Sequence, residues 1–260
     1  MAEPARVVVT AASAGLGRAI ATEFGARGAR LVVGARSVGE LEETARLARA
    51  AGAPAATAVR LDLTQAASID AFIGAATDEL GAIDALVVNT GGPATGGFEE
   101  LDDETWQRAF DLVVMSAIRV VRAGLPALRR SPNPAVVHVL STSAREPTPG
   151  LLVSNTLRPA VAGLAKTLAD TFAPEGIRVN CVLPAAVRTG RVEEIAARAA
   201  ERAGTTVEAE LERRAGSIPL RRLGIPAELA RTVVFLASPD AGYITGTALP
   251  VDGGTSRGIT

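Results

Sequence analysis

Apolar positions along the chain fall into two alternating kinds of segment. Short, nearly unbroken apolar runs rich in β-branched residues occupy Arg6–Thr10, Arg30–Gly34, Ala56–Leu61, Ala82–Asn89, Ala135–Ser141, Arg178–Leu183 and Thr247–Val251. They read as strands, and the lack of in–out alternation predicts burial on both faces. Between them, apolar residues recur with helical spacing over Gly17–Gly28, Val38–Ala51, Ser68–Leu80, Thr105–Leu128 and Leu157–Ala173. Strand, helix and strand in succession require right-handed crossovers, so the pattern predicts an α/β protein whose doubly wound, seven-stranded sheet is mostly parallel.

No shift in composition divides the chain, which therefore reads as one domain over residues 1–260. The one irregular stretch, Thr189–Ser217, is charged, Ala-rich and helical in pattern. It lies between the sixth strand and the last helix, where it reads as a helical lid over a site or, more plainly, as a surface helical hairpin.

Composition narrows the function classes. Of 260 residues, 48% are hydrophobic and 21% charged, as expected of a soluble globular protein, and the formal net charge of -1 shows no affinity for polyanions. No nucleic-acid partner is expected. The single cysteine, Cys181, excludes an intrachain disulfide and implies no oxidising compartment. The first ten residues lack the pattern of a signal peptide, and no apolar run approaches the roughly 20 residues of a membrane helix. The expectation is a cytoplasmic protein with no membrane association, no metal site and a small-molecule substrate.

The first strand runs through a small-residue turn into a helix: Val7-Val8-Val9-Thr10-Ala11-Ala12-Ser13-Ala14-Gly15-Leu16-Gly17-Arg18. Such a turn lets backbone amides and a helix N-terminus approach a pyrophosphate, and a first strand is the place for it in a Rossmann-type fold. Here the chain resembles the short-chain dehydrogenase/reductase family, whose fingerprint is TGxxxGxG. Thr10, Gly15 and Gly17 match, and Ala11 replaces the first glycine. The resemblance implies a nicotinamide cofactor held by Thr10, Ser13, Gly15, Leu16 and Gly17.

Further landmarks follow in register. After the second strand, Ala35 stands where NAD-preferring relatives carry an acidic residue, and Arg36 beside Ser37 can pair with a 2′-phosphate, which favours NADP over NAD. Arg36 also fits as a solvated strand end. Asp62-Leu63-Thr64 resembles the turn beside the adenine. Asn89-Thr90-Gly91-Gly92 stands for the family's NNAG, and Pro184 with Thr189 for the segment that holds the carboxamide, Ala185 replacing its glycine. From Ile218 to Gly254 the chain also follows the family, so the resemblance covers essentially its whole length.

The catalytic positions depart from it. The family's reductases use Ser, Tyr and Lys spaced S-x12-Y-x3-K, with an Asn on the preceding long helix. By this register Ser141 keeps the Ser position, Ser154 replaces Tyr, Arg158 replaces Lys and Val113 replaces Asn. Arg158 retains a cation for the cofactor ribose but cannot relay a proton near neutral pH. Ser154 keeps a hydroxyl far less acidic than a phenol, whose pKa is about 10. Ser141, Ser154 and Arg158 are the candidate catalytic residues, in the manner of a divergent branch similar to 3-oxoacyl carrier-protein reductases.

Other groups offer no obvious replacement acid. His138, the one histidine, should face away from Ser141 and reads as a satisfied core residue. Arg145 and Glu146 can reach a substrate from their loop or stay solvated. Tyr243, Cys181 and Trp106 read as packing residues. The resemblance implies an NAD(P)-dependent oxidoreductase acting on a carbonyl/alcohol pair with an atypical site. Two other readings stay open: a non-redox dehydratase, cyclase or isomerase on the same scaffold, and an inactive cofactor-binding partner. The family also implies a homotetramer, built through Thr105–Leu128, Leu157–Ala173 and Thr247–Asp252.

Overall fold

In the computed structural model, which describes residues 4–258, seven parallel strands form one sheet in the order β3-β2-β1-β4-β5-β6-β7. They are β1 (Arg6–Thr10), β2 (Arg30–Ala35), β3 (Ala55–Arg60), β4 (Ala85–Val88), β5 (Ala135–Val139), β6 (Arg178–Pro184) and β7 (Ala248–Val251). The inner strands β4, β5 and β6 are buried along their whole length, which is why apolar residues dominate both of their faces and the few polar ones, His138, Arg178 and Asn180, are buried too.

Two helical layers cover the sheet. On one face lie α1 (Gly15–Ala26), α2 (Val38–Ala51) and α9 (Pro226–Ala237), packed around Val7, Val9, Leu31, Val33 and Val137. The other face carries α3 (Ala66–Leu80), α5 (Ser116–Leu128) and α6 (Leu152–Phe172), around Val8, Val32, Leu86, Val136 and Cys181. Close packing sets local residue choice: a Cβ on Gly34 would lie 2.5 Å from the Phe72 ring, so β2 needs glycine to let α3 down onto it.

The predicted architecture stands, with three adjustments. The expected helix Thr105–Leu128 is α4 (Asp103–Phe110) and α5 joined by a π-helical stretch, Asp111–Met115, that carries Val113. The helix expected from Leu157 starts five residues earlier and so takes in Ser154. Residues 189–217 form a helical hairpin, α7 (Gly190–Ala203) and α8 (Val207–Gly216).

The strand order reverses between β1 and β4: the chain leaves β1 for β2 on one side and β4 for β5 on the other. This is the switch point at which open α/β sheets leave a crevice. At the far side, the buried Arg178 guanidinium donates to the carbonyls of Leu236, Ala237, Ser238 and Ala241, collecting the C-terminal carbonyls of α9 and of the turn after it. Among the described residues, no helix is long and apolar enough to cross a membrane.

Candidate active site at the switch point

The turn between β1 and α1 is built without bulk. Gly15 has φ +53°, a conformation in which glycine carries no steric penalty. A Cβ on Gly17 would sit 2.2 Å from the Ala11 carbonyl oxygen and 2.8 Å from Ala12 Cα, so any other residue collides with backbone. Ala11 itself is held at φ +48°: the alanine takes up the left-handed bend that glycine makes elsewhere, at a cost of about 1–2 kcal/mol. No side chain caps the N-terminus of α1, so its first amides remain available to a ligand.

Side chains lock this turn to β4. The Thr10 hydroxyl donates to the Asn89 carbonyl at 2.6 Å and accepts the Asn89 N–H at 2.9 Å, adding a rung where the backbone ladder has ended. Asn89 Nδ2 donates to the Ala11 carbonyl at 3.2 Å. Beyond it, the α-carbon of Gly91 faces open space, and the buried Thr90 hydroxyl has no partner. Thr189 packs over the turn, its methyl 3.7 Å from the position of a Cβ on Gly15, and its hydroxyl accepts no amide of the helix it starts. Pro184, buried, ends β6 beneath it. Ser13 is partly exposed and its carbonyl accepts from Arg18, while Leu16 packs on the sheet face below.

At the β2 end, Arg36 and Ser37 are exposed. Burial raises the Asp62 carboxyl, but the Thr64 hydroxyl and N–H that donate to it, with Arg36 and Arg60 nearby, outweigh burial and hold it below its ordinary range. Leu63 is buried beside it. Of the positions named from sequence, Thr10 and Asn89 are joined by hydrogen bonds and Gly15 packs against Thr189, whereas Arg36 and Ser37 stand exposed at the end of β2.

The catalytic positions come together differently from the expectation. Ser154 and Arg158 lie one turn apart on α6, both buried. The Ser154 hydroxyl bonds at 2.8 Å to Ser143, a residue the sequence reading passed over, and no bond joins it to Ser141. Ser141, partly exposed beyond the end of β5, accepts the Ser143 N–H at 3.2 Å. Arg158 donates from Nη1 to the Val139 carbonyl at 3.0 Å, while its buried Nε has no partner. Burial pushes its guanidinium down to about 10, so it stays charged near neutral pH. Val113 is buried in the π-helical stretch and offers only an apolar surface.

Neighbouring groups settle into definite roles. Asn155, next to Ser154, accepts the Thr148 N–H and donates to the Thr148 carbonyl, both at 2.9 Å, pinning the loop after Ser141. Glu146 is engaged by the chain end: its carboxylate accepts the amides of Arg257 at 3.0 Å and Gly258 at 2.9 Å. Two expectations need correction. His138 is buried, but neither ring nitrogen has a partner, because its strand neighbours Val88 and Cys181 and the apolar cluster around them supply none. Tyr243 does not pack: it is fully exposed on the turn that leads to β7. Cys181 is buried as expected, its thiol pushed up to about 12 by that burial, and Trp106 packs against the core.

Known proteins resemble the chain along nearly all of its length. A family model described as "Enoyl-(Acyl carrier protein) reductase" matches residues 10–256. An L-sorbose reductase from Gluconobacter frateurii, solved with NADPH and L-sorbose, is 33% identical with a TM-score of 0.93, the match covering 100% of this chain and 99% of that one. An NADPH-bound short-chain oxidoreductase from Pseudomonas aeruginosa, described as containing an atypical catalytic center, is 35% identical over 97% of each chain with a TM-score of 0.87. A 2,5-dichloro-2,5-cyclohexadiene-1,4-diol dehydrogenase from Sphingobium indicum is 31% identical over 252 residues, 97% of this chain and 96% of its own.

Proposed function

Because the chain belongs to the short-chain dehydrogenase/reductase family, we propose that it is an NADP-dependent oxidoreductase acting on a carbonyl/alcohol pair, with an atypical catalytic site. The observation that carries this reading is the turn at the switch point, where Gly15 and Gly17 make a bend without side-chain bulk and no side chain caps the first amides of α1. The residues present fit the cofactor. Thr10, Ser13, Gly15, Leu16 and Gly17 would hold the pyrophosphate side, and Asp62 and Leu63 the adenine. Asn89, Gly91 and the unpartnered Arg158 Nε would face the nicotinamide ribose, and Pro184 and Thr189 the carboxamide. Exposed Arg36, with Ser37, suits a 2′-phosphate, and no carboxylate replaces Ala35 to bind a bare hydroxyl.

Bound there, the reduced nicotinamide supplies a hydride to a carbonyl carbon. The protein's part is to orient the carbonyl oxygen toward hydroxyl donors and to shield the site. Ser141, the more exposed of the two candidate hydroxyls, is placed to donate to that oxygen, and the Arg158 charge stabilises negative charge developing near it. Water or the substrate supplies the net proton, since neither the phenol of Tyr243 nor the imidazole of His138 lies where it can.

The α7–α8 hairpin acts as a lid in this reading. Arg191 donates to the Pro93 carbonyl at 3.3 Å and lies against Gly92, joining the hairpin to the loop after β4. A homotetramer in the cytoplasm completes it, with contacts through α5, α6 and the edge strand β7, whose four residues are all partly exposed.

Fluorescence titration with NADPH and NADH, followed by 340 nm turnover on a panel of ketones and aldehydes, tests the function. NADPH binding in preference to NADH with carbonyl-dependent oxidation is expected. No binding of either nucleotide at millimolar levels overturns it. NADPH binding without turnover moves the assignment to a non-redox enzyme or an inactive partner. Light scattering of the purified protein tests the tetramer.

A further inference from the structure

We propose that Ser143, outside the Ser141, Ser154 and Arg158 set, is the residue that positions both candidate hydroxyls. The proposal rests on the oxidoreductase reading. Ser143 sits in a single helical turn after β5 and is 2% exposed. Of the described residues, it alone bonds to both serines: its N–H donates to Ser141 Oγ at 3.2 Å, and its hydroxyl meets Ser154 Oγ at 2.8 Å. Each bond has a consequence for direction. Ser141 accepts from the backbone, so its own proton is left to donate outward. When Ser143 is the donor of its bond to Ser154, the Ser154 proton is likewise left free to point elsewhere.

This arrangement compensates for a short side chain. A phenol on α6 would span the distance to a substrate and present a rigidly held hydroxyl. Serine carries its hydroxyl on one carbon and rotates among three staggered positions unless a partner selects one. Ser143 makes that selection, and it does so from a buried turn that α6 itself covers. Ser143 neither gains nor loses a proton; its role is to hold two donors in one geometry.

The full-length protein with NADPH, using the best carbonyl found in the panel, provides the test. Ser143→Ala keeps the N–H to Ser141 and deletes the bond to Ser154; Ser143→Cys keeps that N–H and replaces the hydroxyl by a weakly bonding thiol, in case the alanine variant fails to fold. In whichever folds, kcat is expected to fall about tenfold while KM and NADPH affinity stay within about twofold. Adding the change to Ser154→Ala should produce no further loss, because the partner is already gone. Independent, multiplying losses in Ser143→Ala and Ser154→Ala would overturn the proposal. So would a weakened NADPH affinity that tracks a lowered melting temperature, or full activity of both Ser143 variants. If the parent protein binds NADPH but oxidises it with no carbonyl, the oxidoreductase reading fails and this proposal with it; full activity of the variants sinks the proposal alone.

Discussion

His138 makes the stability of the protein depend on acidity in a way that can be worked out from its surroundings. The ring is fully buried on β5, no group within reach pairs with either nitrogen, and burial lowers its pKa from 6.5 to about 4. In the unfolded chain the imidazole binds a proton as pH drops through 6.5; in the folded protein it stays neutral until about 4. Protons therefore favour the unfolded state throughout that window, and the protein loses about 3 kcal/mol as pH falls across it. The full stability is present above 6.5, and below about 4 this contribution stops changing.

His138→Leu isolates the effect. It removes the titrating group and two unpaired polar atoms, at similar volume, from between Val88 and Cys181. Urea unfolding followed by circular dichroism at several pH values from 7.5 to 4.5 gives the difference between parent and variant. Carboxylates held below their ordinary range, such as Asp62 and Asp84, also weaken the fold in acid, but they do so equally in both proteins and cancel. The variant should gain on the parent steadily as pH falls below 6.5. Parallel curves would refute the reasoning and mean that a proton reaches the ring, or a partner pairs with it, in the folded state.

Other variants address the site. Gly17→Ala places a methyl against the Ala11 carbonyl and should cost about 1–3 kcal/mol in urea unfolding while abolishing saturable NADPH binding. Arg36→Ala should weaken NADPH roughly tenfold in a fluorescence titration and leave NADH unchanged, since only a 2′-phosphate needs the cation. Ser154→Tyr with Arg158→Lys restores a phenol beside an ammonium and should raise ketone turnover by about a hundredfold at 340 nm, provided NADPH still binds.

The sheet was legible because its strands are buried on both faces and therefore apolar throughout, and the cofactor turn because backbone clashes leave little choice at Gly17. What escaped the sequence depends on contacts between distant segments or on helical detail without a residue signature. The π-helical stretch at Asp111–Met115 contains no Gly or Pro to mark it. The first turn of α6 follows Pro149-Gly150 and opens with apolar residues that do not show a helical period, so Ser154 and Asn155 fell outside the expected helix. Helix α9 carries its own signals in Pro226 at its first position and Glu228, which accepts the Ile225 N–H at 2.9 Å. Ser143 could have been noticed as the second serine of Ser141-Thr142-Ser143, but only the folded turn shows which of the three hydroxyls meets α6. For His138 the sequence predicts burial and a satisfied ring; only the fold shows that its neighbours supply no partner.

The alanine at position 11 has a consequence for recognising proteins of this kind. The nucleotide responds to a torsion angle, whereas a written fingerprint responds to a letter, and the two part company at φ +48°. A chain with a well-packed interior tolerates the small penalty and keeps the loop's shape, so pattern searches that insist on glycine there will pass over competent relatives. Scoring the bend itself, from coordinates, would retrieve them.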